Sequence, residues 1–184
     1  MPKLILGLVG QAGAGKFTAA ECIKDEYKIQ VFVFSDILKD MLKRLFLPAS
    51  RENLIALSTA VRQAFGQDAL SNAMERQVAA SEADIVVVDG IRRFDDIADL
   101  KKNPAFHLIE VWAPPEIRFE RLKKRNEKPG ETEMTWEDFL AMSQKETEAT
   151  IAGVAAQAEK KIDNSRDLSA LKTNMLQLIR SYLA

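Results

Sequence analysis

The chain opens on an apolar run that dissolves into glycines and ends at a lysine: "LILGLVG" at 4 to 10 continues as "QAGAGKFTAAECI". No other segment constrains the fold as tightly. A strand without polar alternation must be covered on both faces, as in a parallel sheet. Glycines admit backbone angles and close approaches that other residues resist, so a cluster of them after a strand suggests a bound object. Gly10, Gly15 and Lys16 satisfy G-x-x-x-x-G-K, with Gly13 in addition, ahead of a helix whose Ala19, Ala20, Ile23 and Tyr27 face inward. In that context main-chain N–H groups enclose phosphate oxygens and Lys16 neutralises the outer ones. Gly10, Ala12, Gly13, Ala14, Gly15, Lys16, Phe17 and Thr18 are the candidate contacts. A glycine turn carrying a solvated lysine is the alternative.

Four further runs read as buried strands: "VFVFS" at 31 to 35, "DIVVVDG" at 84 to 90, "FHLIEVW" at 106 to 112 and "KKIDN" at 160 to 164. Helical stripes separate them. Ile37, Leu38, Met41, Leu42, Leu45 and Phe46 share one helix face before Pro48, Leu54, Leu57, Val61 and Phe65 mark a second helix, and Leu70, Ala73, Met74 and Val78 a third. A long helix is expected from Thr135, capped with Asp138, and a last one carries Leu168, Leu171, Met175, Leu178 and Ile179. Alternating strand and helix implies an α/β fold of three layers in one domain spanning 1–184. Residues 36–83 exceed one crossover and are expected to form a helical insert over the strand ends, where such sheets bind ligands. The turn-rich "NEKPGETEMTW" at 126–136 reads as a lid.

Charge narrows the function. Lys plus Arg number 26 against 27 Asp plus Glu, so a net charge of -1 provides no bulk attraction to nucleic acid or membrane. A single cysteine, Cys22, excludes an internal disulfide framework, and a single histidine, His107, excludes the usual zinc ligand sets. The first apolar run is too short and too glycine-rich for a signal peptide or membrane span, which makes a cytoplasmic protein the expectation.

Several polar residues sit where chemistry would need them. Asp89 ends the strand in "IVVVDGIRR", the place of an acid that orients Mg2+ beside a phosphate loop, although an Asp there also forms turns. Arg92 and Arg93 follow, and a guanidinium can hold an acceptor phosphate through two parallel hydrogen bonds. Asp36, at the end of the second strand, could accept a proton or bind an acceptor hydroxyl, with Lys39 one turn later; helix capping explains Asp36 almost as well. Arg62 is a further acceptor-side cation whose ordinary reading is a surface salt bridge. In "RFERLKKR", Arg118, Arg121 and Arg125 form either a solvated charge run or the cations that phosphoryl transfer requires, with Arg121 and Arg125 on one helix face.

Together "GQAGAGKFT", "SDILKDML", "VVVDGIRR", "RFERLKKR" and "KKIDNSRDL" resemble the nucleoside monophosphate kinase group of phosphate-loop proteins, including adenylate-kinase-like, deoxynucleoside monophosphate kinase-like and dephospho-CoA-kinase-like members. The resemblance implies a five-stranded parallel sheet in the order 2-3-1-4-5 and ATP with Mg2+. Lys16 would lie on the donor phosphates, Thr18 and Asp89 on the metal side, and Asp36 and Arg93 at the acceptor. Arg121 and Arg125 would clamp the transition state, and Asn164 and Ser165 would border the donor base. Three positions depart from the family pattern. Phe17 follows the lysine where Ser or Thr is usual, "DGFPR" stands as "DGIRR", and Lys145 replaces an arginine after the lid. The activity so implied is transfer of the γ-phosphoryl of ATP to a small nucleotide acceptor, a nucleoside or deoxynucleoside monophosphate, by a monomer or homodimer. Dephospho-CoA kinase, or an ATPase assembly factor, is the alternative.

Overall fold

The structure is a computed structural model that describes residues 2–125 and 131–184. Five strands form one parallel sheet: β1 (Leu4–Val9), β2 (Ile29–Val33), β3 (Ile85–Asp89), β4 (Phe106–Trp112) and β5 (Lys160–Asp163). Their order is β2-β3-β1-β4-β5, the arrangement that the resemblance implies. Every residue of β1 is buried, and its neighbours run parallel, with Ile5 opposite Val86 on one side and Phe106 on the other.

The strand period of two sorts the core into two layers. Leu4, Leu6, Leu8, Ile85, Val87, Ile109 and Val111 pack against α1 (Lys16–Glu21) and α8 (Leu168–Leu183). Ile5, Val9, Val86, Val88, Phe106 and Leu108 meet the opposite layer, built from α2 (Phe34–Arg44), α3 (Arg51–Phe65), α4 (Ala69–Ala79) and α7 (Glu146–Ala155). Gly7 belongs to this packing and not to the phosphate loop, because a Cβ there would lie 2.7 Å from the Phe106 ring. Between β4 and α7 lie α5 (Pro115–Arg125) and α6 (Trp136–Ser143). Among the described residues no helix is long and apolar enough to cross a membrane.

Two expected boundaries move. The second strand ends at Val33, not residue 35, because Phe34 turns inward as the first of Phe34, Leu38 and Leu42, spaced four apart on the buried face of α2. Asp36 therefore lies in the first turn of a helix rather than at a strand end. The helix expected from Thr135 is two helices. Thr135 and Asp138 form the expected capping box, but Lys145 takes an extended conformation between α6 and α7. Of the lid segment, 126–130 lie outside the described residues. Past the end of α2, Phe46 has φ 56, a left-handed residue, ahead of Pro48.

The structure places Arg62, expected as an acceptor-side cation, within the fold and not at the surface. It is buried, pairs with Asp96 at 2.6 Å and donates to the Gln67 carbonyl. The other oxygen of Asp96 accepts from the backbone N–H groups of Arg92 and Arg93, each at 2.9 Å. One carboxylate thus ties α3 to the loop after β3, and removing its partner would leave a buried charge uncompensated. Arg62→Ala should cost about 3–5 kcal/mol of unfolding free energy in urea titrations. Lys39→Ala, which breaks only an exposed pair with Asp36, should change it by less than about 1 kcal/mol.

Candidate phosphate-binding site

The glycine loop runs from the end of β1 to the start of α1 in a conformation that its glycines make possible. Gly13 and Gly15 have φ of 80 and 93, in the left-handed region. A Cβ at Gly13 would stand 2.6 Å from the Arg118 carbonyl oxygen, and one at Gly15 would stand 2.2 Å from Asn164 Nδ2. The loop is held from outside: Asn164 donates its side-chain amide to the Ala14 carbonyl at 2.8 Å, and its own carbonyl accepts from Arg121 at 2.9 Å. Lys16 curls back to donate to the Gly10 carbonyl at 2.7 Å.

This arrangement leaves donors over. Ala14 N–H bonds to Gln11, but among the described residues the backbone N–H groups of Gly13, Gly15, Lys16, Phe17 and Thr18 donate to nothing. Buried or half-buried N–H groups without partners are costly unless a ligand or water satisfies them. Arg121 Nη1 and Arg118 Nε are also buried without a partner, and Nη1 lies 3.6 Å from where a Gly15 Cβ would stand. Converging donors around a closed turn match the oxygens of a polyphosphate.

Electrostatics agree with the geometry. Burial pushes the Lys16 ammonium below its ordinary pKa, Asp89 and then Glu148 draw it back up, and Arg92 and Arg125 push it down. Burial likewise lowers Arg118, against the pull of Glu148 and Glu116, and lowers Arg121. Lys16 thus has acids and bases of the site close around it. Asp89 ends β3 with one oxygen accepting from the Gly90 N–H at 2.6 Å, leaving the other for a metal ion or its waters. Among the described residues no group of three or more His, Cys, Asp or Glu gathers into a metal cluster. A cation here would be held largely by the phosphates, with Asp89 beside it.

The remaining expected residues divide. Thr18 and Phe17 are exposed at the start of α1, Phe17 by 67%. Arg92 and Arg93 are exposed after β3; Asp36 and Lys39 are exposed on α2, paired with each other at 2.8 Å. Arg125 pairs with the buried Glu131. Asn164 spends its side chain on the loop, and the Ser165 N–H bonds to Asp163 at 2.8 Å. Three participants carry no distinguishing sequence signal. Arg118, one of several basic residues of α5, is buried over the Phe139 ring and reaches the Ala12 carbonyl at 3.4 Å. Asp96 anchors the arginine loop, and Glu148, from α7, accepts from the Ala12 N–H at 3.4 Å.

Sheet order, glycine loop and flanking arginines define a phosphate-loop fold of the kinase-like class. The chain belongs to the AAA domain family, AAA_17, whose model matches residues 9–139. It is also one of a group of relatives that carry the name UPF0200 protein. That of Staphylothermus marinus is 31% identical over 88% of this chain and 84% of its own length, and that of Hyperthermus butylicus is 28% identical over 96% and 94%. Among solved structures, shikimate kinase from Bacteroides thetaiotaomicron superposes with a TM-score of 0.65 at 14% identity over 98% of this chain and 99% of that one. TT1252 from Thermus thermophilus gives 0.61 at 20% identity over 100% of both chains. These last two likenesses concern the fold.

Gly13→Ala tests the loop itself, because its obstruction is backbone and cannot swing aside. The variant should bind ATP at least about tenfold more weakly in calorimetry, since a strained turn of about 1–2 kcal/mol also misaims the amides. Unchanged affinity in a folded variant would remove the loop from the site.

Proposed function

We propose that the protein is a magnesium-dependent phosphotransferase that moves the γ-phosphoryl group of ATP to a small nucleotide acceptor. The observation that carries this reading is the set of unpartnered amides of Gly13, Gly15, Lys16, Phe17 and Thr18, with Lys16 and Arg121 beside them. Gly10, Ala12, Gly13, Ala14, Gly15, Phe17 and Thr18 supply the cradle's backbone, and Lys16 meets the outer phosphates. Arg121 and Arg125, both on α5, would clamp the transferred group; Arg125 is paired with Glu131 in the structure. Asp89 and Thr18 would hold Mg2+, which would supply charge neutralisation on the phosphates.

On the acceptor side, Arg92 and Arg93 offer exposed guanidinium groups on a backbone fixed by Asp96, and Asp36 with Lys39 stands on α2. Such a site suits an acceptor that carries its own phosphate. A nucleoside or deoxynucleoside monophosphate and dephospho-CoA both meet that description, and a panel of them read by coupled ADP release separates the two. The protein itself contributes positioning and fixed charge, the main demands of phosphoryl transfer. A cytoplasmic location and a monomer or homodimer complete the proposal.

A second reading, a nucleotide-dependent assembly factor, is favoured by the apolar side chains the insert leaves exposed: Phe46 by 96%, Phe65 by 77% and Ile55 by 57%. ATP loss that ignores every small acceptor but responds to a protein partner would support it. For the transferase, Lys16→Ala should lower turnover by at least about a hundredfold with an unchanged melting temperature. Substantial surviving activity would refute the assigned donor site.

A further inference from the structure

Helix α7 brings a carboxylate to the rim of the glycine loop. Glu148 Oε2 accepts from the Ala12 N–H at 3.4 Å, while Oε1 has no hydrogen-bond partner among the described residues. The same helix abuts the loop after β3, since a Cβ on Gly153 would lie 3.2 Å from the Phe94 ring. Glu148 therefore stands on an element wedged between the phosphate cradle and the segment that carries Arg92 and Arg93. It is close enough to Lys16 and to Arg118 to influence the charge of each.

A fixed carboxylate at this place discriminates between acceptors. A monophosphate oxygen attacks as an anion; it has no proton to lose and is repelled by Glu148 and Asp89 together. A hydroxyl arrives neutral and must give up a proton as its bond to phosphorus forms, which a carboxylate with one free oxygen can accept. Of the other acids, Asp36 is exposed and bonded to Lys39, and Asp89, with one oxygen on the Gly90 N–H, is assigned above to the cation.

We propose that Glu148, tethered to the Ala12 amide through one oxygen, is the catalytic base that takes the proton from a neutral hydroxyl acceptor attacking the terminal phosphate. The acceptor oxygen bonds to the γ-phosphorus and the bond from that phosphorus to the β,γ-bridging oxygen breaks. ADP leaves with the bonding electron pair, and the hydroxyl proton passes to Glu148 Oε1 and then to solvent. Water is the smallest such acceptor, so slow ATP hydrolysis is a built-in property of the site. This assignment rests on the donor site proposed above.

The test uses the full chain with ATP and Mg2+, first with water alone as acceptor and then with hydroxyl-bearing and monophosphate acceptors in parallel. Glu148→Gln should slow hydrolysis and hydroxyl phosphorylation about a hundredfold and leave ATP affinity by calorimetry within about threefold. Glu148→Asp, which keeps the acid, should recover part of the rate, and it stands in if the first variant melts early. An unchanged rate overturns the assignment, as does tighter ATP binding at an unchanged rate, which would make Glu148 a mere occupant of the phosphate cradle. So does a wild type that binds ATP but phosphorylates only monophosphate oxygens, or one that binds ATP and leaves it intact with every hydroxyl acceptor, water included. A wild type that binds no ATP overturns the donor site itself, a distinct failure.

Discussion

A turn with left-handed residues at Gly13 and Gly15 leaves the amide hydrogens of Gly13, Gly15, Lys16, Phe17 and Thr18 without a partner among the described residues. The rest of the molecule can be understood as support for that conformation. β1, buried along its whole length, fixes where the loop begins; Ala19, Ala20 and Ile23, packed under the sheet, fix where the helix after it lies. Asn164, at the end of β5, reaches across to the Ala14 carbonyl, so an edge strand far along the chain helps set the loop's shape. Unpaired donors are a liability in a closed core and an asset at a site, where a polyphosphate supplies acceptors in return.

Buried ionic contacts distribute the remaining groups around this loop. Arg62 and Asp96 hold the insert to the loop after β3 and thereby set the path of Arg92 and Arg93. Arg118, stacked on Phe139, couples α5 and α6 to the glycine loop through the Ala12 carbonyl. Glu148 and Arg118 thus address the same residue, one at its N–H and the other at its carbonyl. Small shifts of α7 relative to α5 would register there directly.

Much of this was legible in the chain, and the illegible part has physical reasons. Apolar runs located the strands and marked them as members of a covered, parallel sheet, with β2 displaced by two residues; their order was legible only through the resemblance of the motifs to phosphate-loop kinases. The run "VFVF" did not reveal where strand turns to helix, since Phe34 is apolar in either state and only its four-residue spacing to Leu38 and Leu42 places it in α2. The glycine loop was readable from local chemistry. Arg62 was not, because nothing local distinguishes a solvated arginine from one whose partner, Asp96, lies 34 residues on. Glu148, 136 residues from Ala12, is the same case at greater range.

Amide resonances of the loop report most directly on whether those hydrogens grip a polyphosphate. On titration with ATP and Mg2+, the N–H signals of Gly13, Gly15, Lys16, Phe17 and Thr18 should move together and saturate. If a well-folded sample shows these loop signals unmoved at saturating ATP, the cradle does not bind phosphate and the account is wrong at its centre.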